Sequence, residues 1–177
     1  MLVYILVAEV GYIVIGVSVA NQIGLTGAIL HIMNDATMMA CVFLVVGAVF
    51  YKTGTRNIYE MRYLNKKMPF TMAAFTITAI SFCGIPPTCG FFSKWYLVLG
   101  AINASQWVLV VTLLISSLVN AILFFRVIEY AYFYPHAEHG AVDVHATSHG
   151  HAEIVMDEAP LSMLIPILIM AALILDR

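Results

Sequence analysis

Charged residues are scarce in this chain of 177 residues. Lysine, arginine, aspartate and glutamate make up 10% of it, whereas a soluble domain carries about 25%. Hydrophobic residues reach 62%, and the mean hydropathy is +0.95. This composition excludes an ordinary soluble domain and predicts an all-α membrane protein. No basic patch interleaved with aromatic residues accompanies the net charge of −2, so no nucleic-acid partner is predicted.

Motifs for cofactors are missing as well. The three cysteines, Cys41, Cys83 and Cys89, lie in apolar stretches without C-x-x-C spacing, which indicates packing residues rather than a disulfide or metal framework. The chain has no nucleotide-binding glycine loop, haem motif or iron–sulfur cysteine set. We therefore predict no cofactor and no metal, and we assign any redox chemistry to partner chains.

Long apolar segments are abundant, and a helix needs about 20 such residues to span a bilayer. Five candidate segments occupy residues 2–20, 23–51, 69–102, 107–134 and 159–175. No lysine or arginine precedes the first segment and Glu9 interrupts it, so we expect residues 1–20 to be a retained helix rather than a signal peptide. The predicted architecture is a polytopic bundle of about five membrane helices. It forms a single domain, 1–177, with three helices in residues 1–102 and two in residues 103–177.

The two longer loops, residues 52–68 and 135–158, predict how the chain is oriented in the cell (inner or plasma) membrane. Residues 52–68 hold most of the lysine and arginine, and cytoplasmic loops carry an excess of these residues. Counting the crossings then places residues 135–158 on the same, cytoplasmic face. That second loop holds most of the histidines at irregular spacings, and we interpret it as a solvated loop rather than a metal site.

A break interrupts the third segment at residues 84–90. Gly84, Pro86, Pro87 and Gly90 cannot sustain a regular helix there, and Lys94 follows directly. Broken backbone at membrane depth persists only where it is buried in protein or lines a cavity. A lysine at that depth costs roughly 2.5–3.5 kcal/mol on insertion scales, so the combination predicts an ion pathway. The alternative is a kinked packing helix whose lysine snorkels to the interface.

Further ionisable residues lie inside the first two segments. His31, Asp35 and Met39 follow one another at i, i+4 and i+8, on one helix face. A histidine can accept a proton on one ring nitrogen and release it from the other, and an aspartate can hold it next. This spacing predicts a proton relay, with a His–Asp hydrogen bond between packed helices as the alternative. Glu9 is either protonated and bonded to a neighbour or paired with a basic group on another subunit, and the sequence leaves both open.

Residues 9–12, 31–43 and 84–95 together resemble a known family. They are similar, in this order, to the C-terminal half of the antiporter-like membrane subunits shared by respiratory complex I, membrane-bound hydrogenases and Mrp-type cation/proton antiporters. The resemblance covers about residues 1–100, and the last two segments match in hydropathy alone.

In that family, each subunit has two inverted repeats of five helices, each with one discontinuous helix. The resemblance implies that Lys94 is the charged residue of the outlet half-channel. It also implies that His31 is the first member of a histidine, histidine, lysine row. Asp35 stands where the second histidine is usual, Met39 where the lysine is usual, and Glu9 replaces a common glutamine. The first repeat is missing from this sequence: either another chain supplies it, or the sequence is that of a truncated relative.

The resemblance implies a subunit for proton or cation/proton translocation in the membrane arm of a redox-driven pump or an Mrp-type antiporter. Lys94, His31, Asp35 and Glu9 are its expected pathway residues. The chain itself would be a non-catalytic subunit of an NADH–quinone oxidoreductase or hydrogenase-like complex. Expected partners are other membrane subunits, including a chain that supplies the missing first repeat. The alternative, which Met39 favours, is a degenerate, non-conducting subunit that completes or seals the arm. The sequence leaves the choice between proton and sodium open.

Overall fold

The computed structural model describes residues 2–54, 64–132 and 158–176. These residues form helices and no strand, which confirms the all-α membrane bundle. By length and composition the helices Gln22–Thr53 and Trp107–Tyr132 can each cross a membrane, and three shorter helices are apolar: Leu2–Ser18, Pro69–Cys83 and Leu161–Asp176. The helices in chain order are α1 (Leu2–Ser18), α2 (Gln22–Thr53), α3 (Leu64–Lys67), α4 (Pro69–Cys83), α5 (Cys89–Asn103), α6 (Trp107–Tyr132) and α7 (Leu161–Asp176).

Helix α2 is the central helix, and capping residues define both of its ends. The side chain of Asn21 accepts a hydrogen bond from the backbone N–H of Gly24 at 2.6 Å, as an N-cap does. At the other end, Gly54 adopts a left-handed conformation with φ +67° and closes the last turn onto Phe50. The Asn21 amide also donates to the carbonyl oxygen of Gly100 at 2.8 Å, which ties the start of α2 to α5.

Glycines allow α2 and α5 to approach each other closely. A Cβ atom on Gly100 would lie 2.6 Å from the Cα atom of Gly24, and one on Gly27 would lie 2.8 Å from the backbone nitrogen of Leu97. Small residues at such contacts let membrane helices pack backbone against backbone. This packing brings the helix that carries Lys94 against the central helix.

The predicted third segment is divided into α4 and α5, and the break between them is shorter than expected. Helix α4 ends at Gly84, which has φ +74°, and Thr88 is already the N-cap of α5. Gly90 therefore lies in the first turn of α5 and not in the break. Its lack of a side chain serves packing instead, because a Cβ atom there would collide with the carbonyl oxygen of Ser81.

Glu158 links the beginning of α4 to the segment that leads into α7. Its carboxylate accepts a hydrogen bond from the backbone N–H of Phe70 at 2.7 Å and another from the hydroxyl of Thr71 at 2.9 Å. A carboxylate at this position satisfies free N–H groups and complements the helix dipole. The starts of α4 and α7 consequently lie at the same end of the bundle. Most of each predicted cytoplasmic loop, 52–68 and 135–158, falls outside the described residues.

Candidate functional site

Glu9 lies at the meeting point of α1, α2, α5 and α6. Its side chain is fully buried, and its Oε2 atom is 3.1 Å from Nε2 of His31. Its Oε1 atom is 3.7 Å from Nζ of Lys94 and accepts a hydrogen bond from the side-chain amide of Asn120 at 2.8 Å. A carboxylate removed from water requires partners of this kind. We call Glu9, His31 and Lys94 the buried triad.

The two prolines of the break create an acceptor for Lys94. In a regular helix the carbonyls of Phe82 and Cys83 would bond to the N–H groups of residues 86 and 87, but proline has no N–H. The ammonium of Lys94 donates to the Phe82 carbonyl at 2.6 Å. The hydroxyl of Ser117 on α6 donates to the Cys83 carbonyl at 3.0 Å. Pro86 and Pro87 thus free two carbonyls, and side chains from α5 and α6 satisfy them.

Lys94 is held from a second side by an aromatic ring. Its Nζ atom lies 4.8 Å from the ring centroid of Tyr12, within the range of a cation–π contact. The lysine side chain is 12% exposed, so it lies at the edge of the triad, whereas Glu9 and His31 are entirely enclosed. The Tyr12 ring also meets the His31 ring edge-on, at 5.5 Å between centroids.

Both ring nitrogens of His31 have neighbours. Nε2 faces Glu9, and Nδ1 is 3.1 Å from the hydroxyl oxygen of Ser93, the residue before Lys94. Within the described part of the chain, His31 and Asp35 form no hydrogen bond with each other: Nδ1 contacts Ser93, and Nε2 faces Glu9 at an ion-pair distance without hydrogen-bond geometry. The His–Asp bond considered from the sequence is not among the contacts of the described residues.

Asp35 lies outside the buried triad. It is half-buried, and its Oδ1 atom has no hydrogen-bond partner among the described residues. Met39, on the same helix face, is buried in an apolar cluster that includes Val42. The structure therefore brings His31 and Lys94 together through Glu9, and it leaves Asp35 beside them. The two basic neighbours of Glu9 that the structure shows, His31 and Lys94, belong to this chain.

Sequence reasoning did not identify Asn120, Ser93 or the carbonyl of Phe82 as parts of the site. Asn120 was detectable, since it is an isolated amide in the apolar helix α6 and such residues seek hydrogen-bond partners in membranes. The Phe82 carbonyl was detectable too, from its position four residues before Pro86. Nothing in the sequence distinguishes Ser93 from other serines on apolar helices.

Comparisons with known proteins identify the family of the chain. The family model described as NADH:quinone oxidoreductase/Mrp antiporter, TM, matches residues 1–120. NADH-quinone oxidoreductase subunit N of Desulforudis audaxviator is 46% identical over 170 residues, which are 96% of this chain and 34% of that protein. A Na(+)/H(+) antiporter subunit of Alkalihalophilus pseudofirmus is 34% identical over 130 residues, which are 73% of this chain and 26% of that protein.

Two solved structures share the fold. A chain of the Mrp complex from Dietzia sp. DQ12-45-1b aligns with a TM-score of 0.80 and 23% identity, over 94% of this chain and 37% of that one. A chain of the membrane-bound sulfane sulfur reductase, an archaeal respiratory membrane complex, aligns with a TM-score of 0.75 and 26% identity, over 94% of this chain and 26% of that one.

The chain spans between about a quarter and a third of the length of the curated relatives it matches, 34% of one and 26% of another. The family model nevertheless matches well over half of this chain, which confirms the resemblance seen in the sequence. The chain belongs to the NADH:quinone oxidoreductase/Mrp antiporter family of transmembrane proteins.

Proposed function

We propose that this chain forms part of an ion-translocating membrane subunit and that the buried triad is its proton-carrying element. One observation carries the proposal: the enclosed carboxylate of Glu9 contacts both His31 and Lys94. Ionisable groups inside a membrane protein are costly and usually mark ion pathways or proton relays. Two basic groups that contact the same carboxylate can exchange a proton through it without crossing lipid.

The triad offers two positions for the charge that balances Glu9. Lys94 can hold a proton between the Glu9 carboxylate and the Phe82 carbonyl. His31 can accept a second proton on the nitrogen that faces the other carboxylate oxygen. When a partner brings a charge near the site, the proton's preference between Lys94 and His31 changes. Repeated changes of this kind would move protons through the triad. Asp35, half-buried next to the triad on α2, is the proposed next carrier.

The partners we propose are other membrane subunits. The relatives bear the names of subunits of an NADH–quinone oxidoreductase and of a Na(+)/H(+) antiporter, and the structural neighbours come from multi-subunit membrane complexes. Since this chain matches between about a quarter and a third of its relatives' length, the first antiporter repeat would come from sequence outside it. Redox chemistry, where the complex has any, would reside in other subunits, so this chain would be a non-catalytic part of an oxidoreductase.

For the orientation, we propose that loops 52–68 and 135–158 both face the cytoplasm. The positive charges of the first loop support this, since cytoplasmic loops are rich in lysine and arginine. The hydrogen bond from Phe70 to Glu158 supports placing both loops on one face, because it joins residues at the ends of the two loops.

The direct test is Glu9→Gln in inverted membrane vesicles that contain the assembled complex. Glutamine keeps the size and a carbonyl acceptor for Asn120, but it cannot take up and release a proton. We expect proton transport, followed with a pH-sensitive dye, to fall by about 100-fold, the order of a lost acid–base group. Parallel measurement of ²²Na⁺ uptake distinguishes a cation/proton exchanger from a proton carrier.

Thr112→Val is the matched control for this test. Thr112 is exposed on α6 and its hydroxyl donates to the carbonyl of Val108 in its own helix, so its loss should leave transport unchanged. A Glu9→Gln complex that assembles fully and transports at the wild-type rate would refute the triad as the proton carrier.

A non-conducting structural subunit is the second candidate. It is favoured by Met39, which is 8% exposed in an apolar cluster at the position where the family resemblance leads us to expect a lysine. On this view the triad only joins four helices. It predicts that Glu9→Gln lowers the stability of the complex and leaves the transport rate per assembled complex unaffected.

A further inference from the structure

The hydroxyl of Ser93 has two hydrogen-bond neighbours but only one proton to donate. Its oxygen is 3.2 Å from the carbonyl oxygen of Gly90 and 3.1 Å from Nδ1 of His31. Ser93 is fully buried, so its hydroxyl depends on these two neighbours. When Ser93 donates to Gly90, the contact with His31 requires that Nδ1 carries a hydrogen and donates to Ser93. When Ser93 donates to His31, Nδ1 must be bare.

The opposite side of the imidazole imposes a second condition. Nε2 of His31 faces Oε2 of Glu9 at 3.1 Å. The two atoms are in ion-pair contact without hydrogen-bond geometry. If the ring is neutral and Glu9 is a carboxylate, the adjacent negative charge favours the tautomer with its proton on Nε2, and Nδ1 is then bare. If the Glu9–His31 pair gains one proton, two forms are possible: an imidazolium beside the carboxylate, or a carboxylic acid beside a neutral ring whose Nε2 is bare. In both forms Nδ1 carries a hydrogen.

We propose that Ser93 is a hydroxyl switch that follows the proton content of the Glu9–His31 pair. Its O–H points at His31 when the pair is unloaded and at the Gly90 carbonyl when the pair holds the additional proton. Ser93 is thus a positioning residue that acts through His31. The inference deepens the proposed function, and its consequence for transport rests on that function.

The switch matters because the imidazole is closed off from water. A buried N–H or acceptor without a partner is costly, and the cost is larger when the group is charged. With Ser93 present, each proton state of the pair keeps a partner for Nδ1, and rotation about one C–O bond suffices to change between them. The loaded and unloaded states of the Glu9–His31 pair are thereby kept close enough in free energy for the pair to bind and release a proton.

Loss of the hydroxyl should penalise the loaded state more than the unloaded one. Without it, a bare Nδ1 loses a donor, whereas a protonated Nδ1 becomes a buried donor without an acceptor. At a fixed pH, the ratio of rings with a protonated Nδ1 to rings with a bare Nδ1 should therefore fall by about tenfold or more in Ser93→Ala.

Other groups around the pair do not change in this variant. The cation of Lys94 on α5 opposes loading, and the carboxylate of Asp35 on α2 favours it. Among the residues that the structure describes, the other titratable neighbours are Tyr12 on α1 and the thiol of Cys83 on α4, and α6 contributes the neutral amide of Asn120. Because all of these remain in place, a change in the Nδ1 ratio reports on Ser93 itself.

The test is ¹⁵N NMR of histidine-labelled complex in membranes, with the His31 signals assigned by their absence in His31→Gln. The ratio is measured at one pH in the wild type, Ser93→Ala and Ser93→Cys, the last of which retains a weak donor and should give an intermediate value. Thr78→Val is the matched control, since it removes another fully buried hydroxyl, one that bonds to Ala74 and Cys41. It should leave the ratio unchanged.

The outcome separates this inference from the proposed function. A tenfold fall in Ser93→Ala supports the switch even if Glu9→Gln transports normally, which would refute only the proton-carrying role. Equal ratios in the wild type and Ser93→Ala overturn the switch even if Glu9→Gln abolishes transport. If Ser93→Ala does not assemble, Ser93→Cys decides the matter: a wild-type ratio refutes the switch, and a lower one supports it.

Discussion

The ammonium of Lys94 donates to the backbone carbonyl of Phe82, 2.6 Å away, at the end of the helix that precedes the break. That carbonyl is available because the residue four positions later is Pro86. The C-terminal end of α4 also carries the partial negative charge of its dipole, which favours a cation there. The break and the lysine therefore form one unit, in which the prolines provide the acceptor that holds the charge.

Lys94→Met should abolish transport in the assembled complex. It leaves the enclosed Glu9 with His31 and the neutral Asn120 as its polar partners, and it leaves the Phe82 carbonyl without its donor. We expect the proton flux to fall by about 100-fold, as for loss of an acid–base group. The measurement is dye-detected flux per assembled complex. Lys67→Met, which removes an exposed lysine at the end of α3, should have no such effect, and normal flux in Lys94→Met would make the lysine structural.

Asp35→Asn should reduce transport without dissociating the complex. Asp35 is half-buried and one of its oxygens has no hydrogen-bond partner in the described part of the chain, so its contribution to packing is small. A relay through Asp35 needs a group that binds and releases a proton, which an amide cannot do. Flux and complex yield are measured together. Retained flux in Asp35→Asn would remove this residue from the pathway and leave the triad unaffected.

Gly90→Ala should destabilise the bundle. The added Cβ atom would collide with the carbonyl oxygen of Ser81, so α4 and α5 would have to separate. Overpacking of this kind costs about 1–3 kcal/mol. Gly47→Ala is the matched control: a Cβ atom on Gly47, inside α2, meets nothing within 4 Å, and alanine is the better helix former. Thermal unfolding in detergent should show a lower Tm for Gly90→Ala and an equal or higher one for Gly47→Ala.

Single cysteines at positions 57 and 148 should react from the same side of the membrane, the cytoplasmic side. The positive charge of the first loop and the hydrogen bond between Phe70 and Glu158 are the reasons. Labelling of intact cells and inverted vesicles with an impermeant maleimide is the measurement, and the three native cysteines replaced by alanine provide the background. Reaction of the two positions from opposite faces would contradict the five-helix topology.

Local sequence determined a large part of this protein. Its apolar runs predicted the helices to within a few residues, since every backbone group in a membrane must be paired within a segment. Gly84, Pro86 and Pro87 predicted the break, and the lysine that follows them, Lys94, predicted an ion pathway there. The extent of the break was less well predicted, because Gly90 is equally compatible with a helix start and with a loop until its contact with Ser81 is known.

The contacts between helices were decided by the tertiary structure. Asn120 and Glu9 are 111 residues apart, and His31 and Ser93 are 62 apart, yet both pairs lie within hydrogen-bond distance. The i, i+4 spacing correctly placed His31 and Asp35 along one helix, but it could not show that the imidazole meets Glu9 instead of Asp35. Helical periodicity determines which residues share a face. Which faces meet depends on how closely the backbones can approach, and here that is set by the glycine contacts between α2 and α5.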